Sequence, residues 1–177
     1  NQADDSRMSE VPPVTISYLE MLSPCQLLPK PWPDGTFIVV REVTTAQWRF
    51  NRFLYLTVGE QWNWRDKAEL PDSYWATYVD NPNLRTLVAY EEGSLVGYAE
   101  LLSDSGETEV AYFGLLPEFM GRGLGGPFLT EILQIAWDAR PTPRRVWLHT
   151  CTEDHPAALH NYLARGMRQY CPKERGV

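Results

Sequence analysis

Cysteine is scarce in this chain: Cys25, Cys151 and Cys171 are its full complement. Three widely spaced thiols form neither a disulfide framework nor the ligand spacing of a zinc site. A reducing, cytoplasmic setting is the natural expectation. Long apolar runs are also missing. The stretch 110–116, interrupted by Gly114, falls far short of the ~20 residues that a membrane-crossing helix needs. No apolar signal-peptide core stands near the start, so no membrane partner is expected. Positive charge does not dominate either. A formal net charge of −7 argues against a broad nucleic-acid surface and weakly favours a cationic substrate. Internal repeats are absent, as is any linker that would mark a second domain.

What is present is ordinary globular composition, 44% hydrophobic and 22% charged over 177 residues, enough for one domain with a substantial core. Residues 1–14 read as an N-terminal extension. The polar "NQADDSR" reads as extra residues before a natural start at Met8. Residues 15–177 read as a single domain.

Within it, "TISYLEM" (15–21) and the β-branched "TFIVVREV" (36–43) read as strands, separated by a proline-rich loop at 24–35. A helix is expected from about 46 to 58, capped by Thr44 or Thr45, with Trp48, Phe53 or Leu54, and Leu56 on its apolar side. A second helix opens at Pro71-Asp72 and runs to about Val79. Three strands then follow at 84–92, 94–103 and 108–116. Gly93 and "SDSGE" supply the turns of an antiparallel meander. Phe128, Leu129, Ile132, Leu133, Ile135 and Ala136 carry the spacing of one buried helix face. "RRVWLHTC" (144–151) reads as a strand. A short helix from His155 to Arg165 ends at Gly166, and a last strand follows Met167.

Between the third meander strand and the long helix lies Gly121-Arg122-Gly123-Leu124-Gly125-Gly126, which matches G-x-G-x-x-G. A dinucleotide site is a poor fit. The next strand carries no Asp or Glu, and the preceding strands are joined by hairpins instead of crossovers. A P-loop fails because no Lys-Ser or Lys-Thr follows the glycines. The physical capacity of the turn survives both exclusions. A glycine-rich bend at a helix start leaves backbone N–H groups free, admits a phosphate close to the main chain, and adds the helix dipole. Arg122 offers a charge-assisted contact.

"VAYFGLLPEFMGRGLGGPFL" resembles the acyl-CoA-binding signature of the GNAT superfamily, the acyl-CoA-dependent N-acyltransferases, with Met120 where the family has Gln or Arg. A second family element, Asn-x-x-Ala-x-x-x-Tyr-x-x-x-Gly-Phe, is matched by Ala158, Tyr162 and Gly166, with His155 replacing Asn and Met167 replacing Phe. The wording is also similar to an uncharacterised bacterial subgroup. The resemblance implies an α/β fold: a mixed, mostly antiparallel twisted sheet of about six to seven strands with about four flanking helices. The sheet would splay into a V-shaped cleft between strands 108–116 and 144–151.

In that cleft the resemblance places acetyl-CoA as co-substrate and no metal. Backbone groups of Phe113, Gly114, Leu115 and Leu116 would pair with the pantetheine arm. Residues Gly121, Arg122, Gly123, Leu124, Gly125 and Gly126 would hold the pyrophosphate, with His155 and Ala158 also touching the cofactor. Tyr162 is the expected proton donor to the leaving thiolate, and Glu109 the expected base. Glu100 and His149 are further candidates for the base or the acceptor side. Trp62 and Trp64, with Trp75 and Tyr78, belong to the segment that would cover the acceptor amine. The implied activity moves an acetyl group from acetyl-CoA to a primary amine of a small molecule or peptide, by direct attack in a ternary complex. No triad surrounds Cys151 to support an acyl-cysteine route. The competing reading is a non-catalytic acyl-CoA-binding module of the same fold, and monomer or homodimer is the expected state.

Overall fold

The computed structural model describes residues 13–172. The expected extra residues 1–7 and the candidate start Met8 lie outside them. Seven strands run as β1 (Ile16–Met21), β2 (Ile38–Glu42), β3 (Leu84–Glu91), β4 (Ser94–Asp104), β5 (Glu107–Leu115), β6 (Arg145–Cys151) and β7 (Arg168–Tyr170). Four helices accompany them: α1 (Trp48–Gly59), α2 (Asp72–Val79), α3 (Gly125–Trp137) and α4 (Ala158–Ala164). All strands share one sheet in the order β2-β3-β4-β5-β6-β1-β7, the mixed α/β architecture expected.

The meander forms because its turns are locally encoded. Glu92-Gly93 and Ser105-Gly106 all take positive φ, from 48° to 86°. That matches the twist of two-residue hairpins. The resulting pairs, Glu91 with Ser94 and Asp104 with Glu107, set the register. Period-2 alternation then sorts β4. Ala99 and Leu101 face the cluster built on α3, whereas Tyr98 faces the cluster under α1 and α2.

On the first face, Phe128, Leu129, Ile132 and Leu133 of α3 are fully buried against Leu19, Met21, Val146 and Leu148. On the second, Leu54, Tyr55, Val58 and Trp75 close over Val88 and Tyr98. Each such side chain contributes roughly 1.5–3 kcal/mol of burial free energy. The stripe of α1 differs from the one expected. Phe53 and Leu56 are exposed, and Asn51, Leu54, Tyr55 and Val58 point inward. The helix also starts later, at Trp48 after Gln47, and no threonine side chain caps it. α4 likewise starts at Ala158 instead of His155. A turn comes first, closed by Ala158 N–H to His155 O at 2.8 Å.

One irregularity shapes the sheet. Val110 pairs with Leu101 and Tyr112 with Glu100, so Ala111 has no opposite residue on β4. β5 and β6 pair in parallel only through Glu107, Thr108 and Glu109. A bulge bends its strand and raises local twist, and here it follows directly on the last β5–β6 pair. β6 meanwhile stays paired with β1 along its length, from Val146 with Met21 to Cys151 with Ile16. Past Glu109 the two halves of the sheet therefore separate.

Gly166 closes α4 at φ +95°, and a Cβ there would overlap the Gln26 carbonyl. Gly35, at φ +79°, faces open space. Gly35→Ala therefore carries backbone strain alone, about 1 kcal/mol, while Gly166→Ala adds a steric clash and loses at least about 2 kcal/mol. Urea unfolding of the two variants reads the difference.

Candidate active site

The separation of β5 and β6 opens a cavity of about 780 Å³ that runs from the glycine loop to the far side of the sheet. At one end, Gly121 and Gly123 take φ +73° and +75°, values that a side chain would strain. α3 begins at Gly125, and its first backward hydrogen bond is Phe128 N–H to Leu124 O at 3.0 Å. Pro127 has no N–H, so helix geometry leaves the amides of Leu124, Gly125 and Gly126 without an intrahelical acceptor. Asn161 ties α4 to this corner by donating to Gly125 O at 3.2 Å.

Two cations flank the same amides. A Cβ built on Gly126 would lie 2.5 Å from the Arg165 guanidinium and 2.7 Å from the Lys30 side chain, and both residues line the cavity. Sequence reasoning missed them. Lys30 comes from the proline-rich loop and Arg165 from the end of α4, and no local pattern links either to the glycines. Arg122, by contrast, turns away from the cavity. Its guanidinium holds both Glu91 oxygens at 2.8 and 3.0 Å, and it is not on the wall. Leu116 is not on the wall either; its N–H donates to Val96 O at 2.8 Å.

Phe113, Gly114 and Leu115 form the floor along the unpaired edge of β5. Gly114 is required there because a Cβ would meet Val58 at 2.5 Å. Tyr162 stands beside them, its ring 6.3 Å from that of Phe113. It lines the cavity but is only 8% exposed. Burial pushes the phenol pKa above its ordinary value, so it keeps its proton at neutral pH. Ala158 and His155 lie on the same wall. His155 Nδ1 accepts from Ala157 N–H at 3.0 Å, and its ring packs 4.9 Å from Trp62.

Where the strands part, two candidates meet. Glu109 Oε1 lies 3.5 Å from His149 Nδ1, and both residues line the cavity. Glu109 favours the imidazolium and raises the His149 pKa above its ordinary value, against the opposing effect of burial. Glu100 is elsewhere. It is 1% exposed and sealed behind Tyr78, whose hydroxyl donates to it at 2.5 Å, while Asn51 donates to its other oxygen at 2.9 Å. Burial foremost raises its pKa.

The remaining wall comes from the segment between α1 and α2. Asp66 accepts from Tyr55 at 2.5 Å and from Tyr112 at 2.6 Å. Burial works against its charge, but these phenols and Lys67 prevail and hold its pKa below the ordinary value. The Lys67 ammonium sits 3.6 Å over the Tyr78 ring and 4.4 Å from the Tyr112 ring. Trp64 donates to Asp154 at 3.3 Å and Asn63 to Glu153 at 2.9 Å. With the Trp62–His155 contact, these bonds carry the segment across to the turn after β6. Trp62 and Trp64 thus lie on the cavity wall, while Trp75 is wholly buried. No cluster of three or more His, Cys, Asp or Glu side chains suited to a metal occurs among the described residues.

Comparison with known proteins agrees with this fold. Residues 30–167 match the model of the Acetyltransferase (GNAT) family. An uncharacterized N-acetyltransferase of Mycobacterium tuberculosis is 33% identical over 84 residues, which are 46% of this chain and 51% of that protein. The chain thus spans about half the length of the curated relatives it matches. Among solved structures, a GCN5-related N-acetyltransferase from Kribbella flavida superposes with a TM-score of 0.61 at 21% identity, over 88% of this chain and 56% of the other. Spermidine N-acetyltransferase from Vibrio cholerae, in complex with CoA and spermine, superposes with a TM-score of 0.53 at 18% identity, over 73% and 79% of the two chains. A family match across most of the chain, on a sheet parted beside a glycine-rich helix start, leads to one assignment: the chain belongs to the GNAT family of acetyltransferases.

Proposed function

We propose that this protein transfers an acetyl group from acetyl-CoA to a cationic primary amine, with both substrates bound together in the β5–β6 cavity. A single observation carries the reading. The free amides of the glycine loop, the unpaired edge of β5, Tyr162 and the Glu109–His149 pair lie in that sequence along one cavity.

Each part suits one demand of the chemistry. The amides of Leu124, Gly125 and Gly126, with Lys30 and Arg165 beside them, match the charge of a diphosphate. The open edge of β5 offers main-chain groups to the amides of an extended pantetheine arm, as an added strand would. An ammonium must lose a proton before it can attack. Neutral His149, held by Glu109, would take that proton, and Tyr162 would return one to the departing thiolate. Direct attack needs no covalent acyl-enzyme. On the acceptor side, Asp66 and Glu109 favour a positive charge, and the ring faces of Tyr78 and Tyr112 hold that of Lys67. The spermine-bound Vibrio relative supports an aliphatic polyamine as the first acceptor class to test.

Gly125→Asp tests the loop without harming the fold. An Asp in the first turn of a helix favours the helix dipole, and a Cβ there has ordinary contacts of 3.6 Å and more. Thermal stability of the free protein is expected to hold, while CoA affinity falls by about tenfold or more through charge repulsion. Unchanged affinity removes the loop from the site. Tyr162→Phe is expected to lower kcat on the order of a hundredfold and leave CoA affinity intact. Binding of CoA with no thiol release from any amine in the wild type would instead favour a non-catalytic acyl-CoA module.

The His149 pair yields a pH prediction. Below its midpoint the ring is imidazolium and cannot accept a proton; above it the neutral ring can. Because Glu109 raises that midpoint, NMR titration of His149 is expected to turn over above about 6.5, the ordinary histidine value. Glu109→Gln should move it down. A midpoint that ignores Glu109 would dissolve the pair.

A further inference from the structure

Lysine is rare in this chain: of sixteen Lys and Arg residues only Lys30, Lys67 and Lys173 are lysine. Two of the three line the reaction cavity, and one of these, Lys67, does so on the side where an acceptor amine would sit. Lys67 reaches there from the segment after α1. Its ammonium is stacked between the faces of Tyr78 and Tyr112, at 3.6 and 4.4 Å. Tyr78 is fixed by Glu100, and Tyr112 by Asp66. The Lys67 main-chain N–H is itself anchored, donating to Tyr55 Oη at 3.2 Å. Aromatic faces backed by carboxylates are the arrangement that recognises an alkylammonium, and here a primary alkylamine of the chain itself fills it.

We propose that Lys67 is an acceptor in its own right, and that the protein acetylates this residue from bound acetyl-CoA. The inference rests on the acetyl transfer proposed above. In the step, Lys67 ammonium first loses a proton, which passes through cavity water to the Glu109–His149 pair on the same wall. The Nζ lone pair then forms a bond to the thioester carbonyl carbon, and the C–S bond breaks. The thiolate takes the Tyr162 proton, the second proton on the new amide nitrogen returns to the phenolate, and the proton held by the Glu109–His149 pair passes to solvent. The products are Nζ-acetyl-lysine and free CoA. Partial burial favours the neutral amine and lowers the Lys67 pKa, although Glu100, Asp66 and Glu109 resist that effect. Acetylation removes the positive charge and with it the attraction to the two rings. The same cage then becomes available to a cationic acceptor from solution.

The small number of lysines makes the test internal to one molecule. Purified wild-type protein is incubated with acetyl-CoA, and each lysine is followed by peptide mass spectrometry. Lys30, at the glycine-loop end of the cavity, and Lys173 report direct chemical acetylation. Lys67 is expected to gain an acetyl group at least about tenfold faster than either, as held proximity requires. Tyr162→Phe is expected to slow labelling at Lys67 while leaving Lys30 and Lys173 unchanged. Lys67→Arg, which keeps the cation in its cage, is expected to remove the fast label. Labelling of Lys67 no faster than of Lys30 and Lys173, in a preparation that releases thiol with an added amine, overturns the inference and leaves acetyl transfer standing. Tight CoA binding with neither thiol release nor labelling overturns both.

Discussion

Every feature of the site depends on where the hydrogen bonding between β5 and β6 stops. Three residue pairs, ending at Glu109, join the strands in parallel. Beyond them the main-chain groups on that side of β5 have lost their sheet partner, which an interior strand can tolerate only if water or a ligand supplies one. The unmatched Ala111 is the physical cause closest at hand. An extra residue on one strand turns it away from the plane of its neighbours. Because β6 is meanwhile held to β1 along its whole length, the twist is released as a gap and not as a distortion of β6.

The gap persists because its two sides are built as separate cores. α3 seals one face of the sheet with Phe128, Ile132 and Leu133, and α1 with α2 seals the other with Leu54, Trp75 and Val79. Neither helix layer needs the cleft to close in order to bury its apolar surface. Bridges across the opening are polar or aromatic: Trp64 to Asp154, Asn63 to Glu153, Trp62 to His155. Such contacts span the cavity without filling it. They also tie the wall that carries Lys67 and Asp66 to the turn that precedes α4, on which Tyr162 stands.

Charge is divided along the cavity in the same way. Lys30, Arg165 and the N-terminus of α3 make one end positive; at the other, Glu109, Asp66 and Asp154 stand with Lys67, Arg65 and His149. A cofactor with a negative end would find a complementary region at the first. The net charge of −7 conceals this division, because whole-chain charge says nothing about where each sign lies.

Much of the fold was legible in the residues themselves. Two-residue turns with glycine, period-2 strands and the stripe of α3 are local patterns, and the glycine loop announces itself through a conformation that other residues resist. Tyr162 was singled out by the resemblance of residues 155–167 to a family element, and it lines the cavity. The less legible parts were those that need a partner from afar. Arg122 appeared ready for a phosphate until Glu91 on β3 took it, and Glu100 appeared available until Tyr78 and Asn51 enclosed it. Lys30 and Arg165 at the glycine loop, and Lys67 between two tyrosines, bear no mark in their own neighbourhoods. The sequence by itself therefore determined the strands, the helix start and the bend between them, since backbone preference acts over a few residues. Only the tertiary structure decided which charges meet, because side chains dozens of positions apart become neighbours through packing, and packing is a property of the whole sheet.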